Sequence, residues 1–302
     1  MNARILPIEK LIDGKAAAWK EKMRLYWKLI KSLQTGLLLT TGLAGYMSTR
    51  CPVEEWTTIL ALIGSLFLAI SGSTVLNMVY DRDIDAVMKR TAKRPLPSGQ
   101  VGTREALLLG LGMSAAGLTW ALLLSPLYAG IIYAGLFLDV LVYTIWLKRR
   151  TAWSIIWGGI SGGMPVLAGR ALGMGQIDAT GILLATGVLM WIPTHIMTFS
   201  MRYFDDYRQA GIPTFPSTYG HKTTQIIIAL ASLLSAGAMA GAGLLIGMSW
   251  GYLRLLGVLS IGLFGLALTG MARPSERLNF SLFKYASLYM LNSMLLIFLD
   301  AV

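Results

Sequence analysis

TTILALIGSLFLAISGSTVL, residues 57–76, runs without a charge into NMVYDRDID, residues 77–85. The first stretch supplies the roughly 20 apolar residues that a helix needs to cross about 30 Å of hydrocarbon. The second sets three aspartates where that helix would leave the membrane. Similar apolar runs recur along the chain, and nine spans are predicted, at 32–48, 57–76, 105–124, 127–147, 153–170, 180–199, 223–245, 250–271 and 280–299. The composition agrees. Of 302 residues, 55% are hydrophobic and 14% charged, with a mean hydropathy of +0.62, which excludes a soluble globular domain. A single cysteine, Cys51, excludes an intrachain disulfide framework, and 33 glycines with 16 methionines suit close helix packing in lipid. The expected fold is an all-α polytopic membrane protein, with an N-terminal segment over 1–31 and one transmembrane domain over 32–302.

The net charge of +11 is distributed unevenly. With nine spans, 23 of the 26 Lys and Arg residues fall on the side of the N-terminus; only Arg50, Arg170 and Arg254 fall on the other. Cytoplasmic loops carry such an excess, so the N-terminus is expected in the cytoplasm and the C-terminus outside a plasma membrane. The basic residues are accounted for by orientation and lipid headgroups, with no nucleic-acid partner. The first 31 residues carry eight basic groups and no apolar core of signal-peptide length, so they are expected to be retained. Within them Trp19, Met23, Tyr26, Trp27 and Ile30 share one helical face, which reads as a helix lying in the headgroup region or as a topology anchor.

Two acidic clusters carry the chemistry. If the second span continues as helix, Asn77, Asp81 and Asp85 recur every four residues on one face, about 6 Å apart along the axis, while Asp83 points elsewhere. Hard oxygen donors at a membrane boundary suit Mg²⁺, which takes one or two carboxylates and completes its shell with water and substrate phosphate. The second cluster, MRYFDDYRQAGIP at 201–213, follows the sixth span as the first follows the second, and brings Asp205 and Asp206. Each is followed by a turn-rich segment, RPLPSG at 94–99 and GIPTFPSTYG at 211–220, which suggests a distant internal duplication. Lys31 at the start of the first span, Lys89, Arg90, Lys93 and Arg94 after the first cluster, and Lys148, Arg149 and Arg150 at the end of the fourth span are the cations available to a diphosphate, two or three of them as ligands, arginine being suited to bidentate contact. Asp139, an acid inside the fourth span, Tyr143 one turn after it, and His195 near the end of the sixth are candidates for an acceptor pocket. A secondary transporter also pairs repeats with intramembrane acids, but its sites lie near the midplane, whereas these acids crowd one surface. A CDP-alcohol phosphotransferase is disfavoured because no D-G-x-x-A-R element is present.

NMVYDRDIDAVMKRTAKRPLPSG, residues 77–99, resembles the first signature of the UbiA superfamily of intramembrane prenyltransferases, N-x-x-x-D-x-x-x-D followed by R-P-x-x-S-G. YTIWLKRRT at 143–151, GGISGGMPVLAG at 158–169 and RYFDDYRQAGIPTFP at 202–216 are most similar to the branch that farnesylates protoheme. The resemblance covers about residues 24–300. It implies helices around a central cavity and two Mg²⁺ ions, one on Asn77, Asp81 and Asp85 and one on Asp205 and Asp206. It also implies a polyprenyl diphosphate met by Arg90, Arg94 and Lys148, with its chain in the bilayer. The four aspartates are the expected catalytic residues. The implied reaction moves the prenyl group to a lipophilic acceptor, protoheme first, with an aromatic quinone precursor or a lipid headgroup as alternatives. The chain departs from that branch where a Pro-His-Phe-Trp element becomes Pro193, Thr194, His195, Ile196, Met197, and where Lys-Pro-Arg becomes Lys31, Ser32, Leu33.

The charge distribution makes a direct prediction. Cysteines introduced near residues 95 and 210 should label from the cytoplasmic side and those near 175 and 302 from the outside; labelling of 95 and 210 from opposite sides would reject a shared face.

Overall fold

The structure, a computed structural model, describes residues 8–50 and 56–301; Cys51 lies outside that set. All regular structure among the described residues is helical. Helix α1 spans Ile8–Leu29, α2 Ser32–Met47, α3 Trp56–Tyr80, α4 Arg82–Val87, α5 Thr103–Leu124 and α6 Pro126–Leu147. They are followed by α7 Ser154–Met174, α8 Ala179–Arg202, α9 Phe204–Gln209, α10 Phe215–Ile246, α11 Trp250–Ala272 and α12 Glu276–Ala301. Seven of these, α3, α5, α6, α8, α10, α11 and α12, are long and apolar enough to cross a bilayer. Two of the nine expected spans fall outside that set. α2 has only 16 residues, about 24 Å of helix, and α7 is diluted by six glycines, Pro165 and Arg170. Both nevertheless pack inside the bundle, and the chain is a multi-pass membrane protein.

Among the described residues the long helices run alternately between two ends of the bundle and form two lobes. One gathers α2, α3, α5, α6 and α7 around Leu62, Leu66, Tyr128, Ile131 and Ala168. The other gathers α8, α10, α11 and α12 around Leu184, Met239, Leu256, Leu263, Tyr289 and Met294. With lipid on the outside, burial of apolar surface cannot by itself select these contacts, and small residues that let backbones approach decide them. At the seam between α2 and α7 a methyl group on Gly169 would overlap the Gly42 carbonyl oxygen, and one on Gly45 would overlap that of Val166. The same device recurs where Gly117 of α5 meets Ala69 of α3 and where Gly163 of α7 meets Ala185 of α8.

Polar ties fasten the end of the bundle away from the acidic clusters. Buried Arg170 of α7 binds the Asp178 carboxylate through Nε at 2.8 Å and Nη2 at 2.7 Å, and donates through Nη1 to the Ser48 carbonyl and hydroxyl at 2.8 and 2.9 Å. Asp300 pairs with Arg50 and accepts from the Ser249 amide. At the opposite end α1 docks through its C-terminal half, where Lys22 pairs with Glu105 of α5 at 2.8 Å. Leu29 and Ile30 are buried beside Val75, Met78 and Leu96, and Tyr26 bonds Glu105. The face read from the sequence therefore divides, because Trp19, Met23 and Trp27 stay outside.

The seam sets a stability prediction. Gly169→Ala pushes a methyl into backbone that cannot yield and should cost about 3 kcal/mol, read as a lowered unfolding midpoint in detergent. Gly36→Ala, where the methyl meets nothing within 4 Å, should be neutral or slightly stabilising.

Candidate active site

α3 stops at Tyr80, yet the helical hydrogen-bond register carries on: Asp81 N donates to Asn77 O at 2.9 Å and Asp85 N to Asp81 O at 2.8 Å. Asn77, Asp81 and Asp85 thus keep the common face that their spacing predicts. Asp81 and Asp85 are buried, whereas Asp83 turns outward into a two-pronged pair with Arg149, at 2.6 and 2.7 Å. Arg149 also donates to the Tyr80 carbonyl at 2.7 Å and lies 4.6 Å over the Tyr80 ring, clamping the end of α6 onto the break after α3. Its guanidinium holds the Asp83 carboxyl below the usual carboxylate range.

Each buried aspartate has one cation. Lys148, just past α6, bonds Asp81 Oδ2, and Arg94, in the loop after α4, donates to Asp85 Oδ2 at 2.7 Å. Removing one member of such a pair leaves a buried charge and costs on the order of 3–5 kcal/mol. Asp81 Oδ1 is buried and has no hydrogen-bond partner among the described residues. A carboxylate oxygen in that condition is what a hard cation requires. No group of three acids, histidines or cysteines converges among the described residues.

The second acidic motif repeats the design more openly. α8 ends at Arg202, and the short α9 carries Asp205 and Asp206. Asp205 is exposed and pairs with Arg208 at 3.3 Å; Asp206 is half-buried. The motifs are joined by side chains that sequence reading passed over. Tyr207 and Ile212, from the second, pack on Ile84 and Met88 from the first. Arg90 lies 4.8 Å over the Phe199 ring and 5.4 Å over that of Tyr203, so a cation of the first loop is seated on the end of α8. Gly99 and Gly211, at φ 75° and 67°, turn the two loops back where glycine is the residue that does so without strain.

The sequence of residues 37–290 matches the profile of the UbiA prenyltransferase family. The chain belongs to that family. Curated relatives include a protoheme IX farnesyltransferase from Pyrobaculum islandicum, 36% identical over 88% of this chain and 95% of that protein. Another, from Archaeoglobus fulgidus, is 41% identical over 71% of this chain and 76% of its own length. Among solved structures, one of digeranylgeranylglyceryl phosphate synthase superposes with a TM-score of 0.77 at 19% identity, covering 93% of this chain and 99% of that one. A UbiA homologue from Archaeoglobus fulgidus bound to GPP and Mg²⁺ gives 0.68 at 16%, covering 91% and 99%. The protein is a prenyltransferase of the membrane.

The remaining candidate residues of this prenyltransferase divide into two places. Tyr143 stands beside Lys148, whose Nζ is 5.6 Å from the ring centroid, and Asp139 accepts a bond from Ser73 on α3. Both lie beneath the first acidic motif. His195 sits apart, stacked between Trp191 at 4.9 Å and Phe283 at 4.6 Å, with Nδ1 3.2 Å from the Ser287 hydroxyl. With both ring faces covered, only its edge is free to meet a substrate. Lys31 joins α1 to α2 in the left-handed region, at φ 46° and ψ 60°, an unfavourable conformation for a residue with a Cβ. Burial first, then the nearby Arg94 and Lys148 cations, push its ammonium down to about 8.

That position of Lys31 gives the site a pH signature. The ammonium is charged below about 8 and neutral above it. Binding of inorganic diphosphate at fixed Mg²⁺, followed by calorimetry, should weaken about tenfold as pH rises through that value, the worth of one charge-assisted bond. Lys31→Arg keeps the same backbone cost but stays charged, so it should abolish the fall.

Proposed function

We propose that this chain transfers a farnesyl group from farnesyl diphosphate to a vinyl carbon of protoheme, at the cytoplasmic face of the plasma membrane. The protoheme IX farnesyltransferases it resembles at 36% identity over 88% of its length support the acceptor. The solved homologues bound to GPP or DMAPP with Mg²⁺ support the donor and the metal. The single observation that carries the chemistry is the buried, unpartnered Asp81 Oδ1 beside Lys148.

In this reading Asn77, Asp81 and Asp85 hold one Mg²⁺, and Asp205 and Asp206 hold a second. The chemistry supplied by bound Mg²⁺ is neutralisation of the diphosphate as its C1–O bond breaks. Lys148 and Arg94 exchange their carboxylate partners for diphosphate oxygens, and Arg90 and Lys31 add two further cations at the same mouth. The bond's electron pair leaves with the diphosphate, and Tyr143 presents its ring face to the allylic cation that remains. Cations already in place at the mouth do this without reorganising at the moment of reaction. The vinyl group then attacks the farnesyl cation, water captures the new cation next to the porphyrin, and a proton is lost, giving a hydroxyethylfarnesyl haem. Asp139 and the edge of His195 are the acceptor-side polar groups.

Purified protein should be incubated with Mg²⁺, farnesyl or geranylgeranyl diphosphate, and protoheme, a quinone precursor or a lipid alcohol, and the products identified by mass. The expected product is the farnesylated haem, formed only with metal, and reduced at least a hundredfold in Asp81→Ala and Asp206→Ala. Prenylation of a quinone precursor or lipid alcohol with haem untouched overturns the acceptor. Full turnover by either variant overturns the two-cluster site.

A further inference from the structure

The second half of α6, Phe137–Leu147, is wound as a π-helix, and Lys148 N closes it by donating to Tyr143 O, five residues back, at 2.8 Å. Such turns are rare and concentrate at functional sites. This one brings Thr144, fully buried, against Asn77 of α3. The hydroxyl of Thr144 donates to the Asp139 carbonyl, also five residues back, at 2.7 Å. The Asn77 Nδ2 amide lies 3.0 Å from the same hydroxyl oxygen.

A threonine hydroxyl has one proton. Here it is committed to Asp139, so Thr144 offers Asn77 only a lone pair, and Asn77 can answer only with its NH₂ group. This removes the ambiguity between the two ends of an amide side chain. It also fixes what Asn77 presents on its other side: the carbonyl oxygen, one helical turn before the open oxygen of Asp81. A free asparagine would offer a cation its NH₂ as readily as its oxygen. We infer that Thr144 is a positioning residue that locks the Asn77 amide so that Oδ1 faces the metal, and that the π-helical register of α6 exists to bring it there. In an α-helical register threonine bonds the carbonyl three or four residues back, and Thr144 would turn away from α3. Asp139 takes part through its backbone; its carboxylate, bonded to Ser73, is a separate group.

The inference rests on Asn77 being a metal ligand, and the experiment separates the two. Mn²⁺, as a surrogate for Mg²⁺, is titrated into detergent-purified protein with an unreactive farnesyl thiolodiphosphate, and free ion is read by electron paramagnetic resonance. Thr144→Val should weaken Mn²⁺ at least tenfold, in the range of other groups that orient metal ligands, with little change in thermal unfolding. Thr144→Ser, which keeps the hydroxyl, should restore it. Thr144→Ala, which cannot overpack the site, is carried alongside in case the valine variant does not fold. Wild-type affinity in the valine or alanine variant, with affinity lost in Asn77→Ala, overturns the positioning role while the metal site stands. Wild-type affinity in Asn77→Ala and Asp81→Ala overturns both.

Discussion

Two carboxylates cannot be buried at the edge of a bilayer unless something of opposite charge is buried with them. Asp81 is held by Lys148 and Asp85 by Arg94, and much of the surrounding architecture serves these two pairs. The ends of α3 and α6 must meet for Lys148 to arrive. Arg149 secures that meeting by gripping Asp83 and the Tyr80 carbonyl together. The loop after α4 must fold back for Arg94 to reach Asp85, and Thr91 pins it by donating to the Asp85 carbonyl at 2.8 Å. Under the proposed function, an anion bearing its own metal would meet carboxylates able to take the metal and cations able to take the anion.

The fold was largely legible because a bilayer admits few solutions. Uninterrupted apolar length, loop charge and turn residues put the third and fourth spans at 105–124 and 127–147, against helices at Thr103–Leu124 and Pro126–Leu147. The four-residue spacing of Asn77, Asp81 and Asp85 survived a break in the helix, because the hydrogen bonds across Asp81 keep helical register. The positions of α2 and α7 in the bundle were legible, but their length and composition set them apart from ordinary spans.

What could not be read was whatever depends on a neighbour. The π-helical winding of α6 has no signature in FLDVLVYTIWL, so nothing in the sequence singles out Thr144, although it touches Asn77. The two rings that enclose His195, Trp191 and Phe283, come from α8 and α12, more than ninety residues apart. Asp205 and Asp206 were indistinguishable as neighbours in sequence; the turn of α9 sends one to solvent and half-buries the other.

The repeated break after α3 and after α8 has a consequence in the arithmetic of the fold. From α3 to α7 the chain traverses the bundle four times, by α3, α5, α6 and α7, and from α8 to the end four times again, by α8, α10, α11 and α12. Four is even, so the second unit begins in the same direction as the first, and its acidic loop emerges on the same side. A unit of three or five would have inverted its successor and sent the two loops to opposite surfaces, the geometry on which alternating-access carriers are built. Parity alone makes this chain's two motifs partners across one mouth.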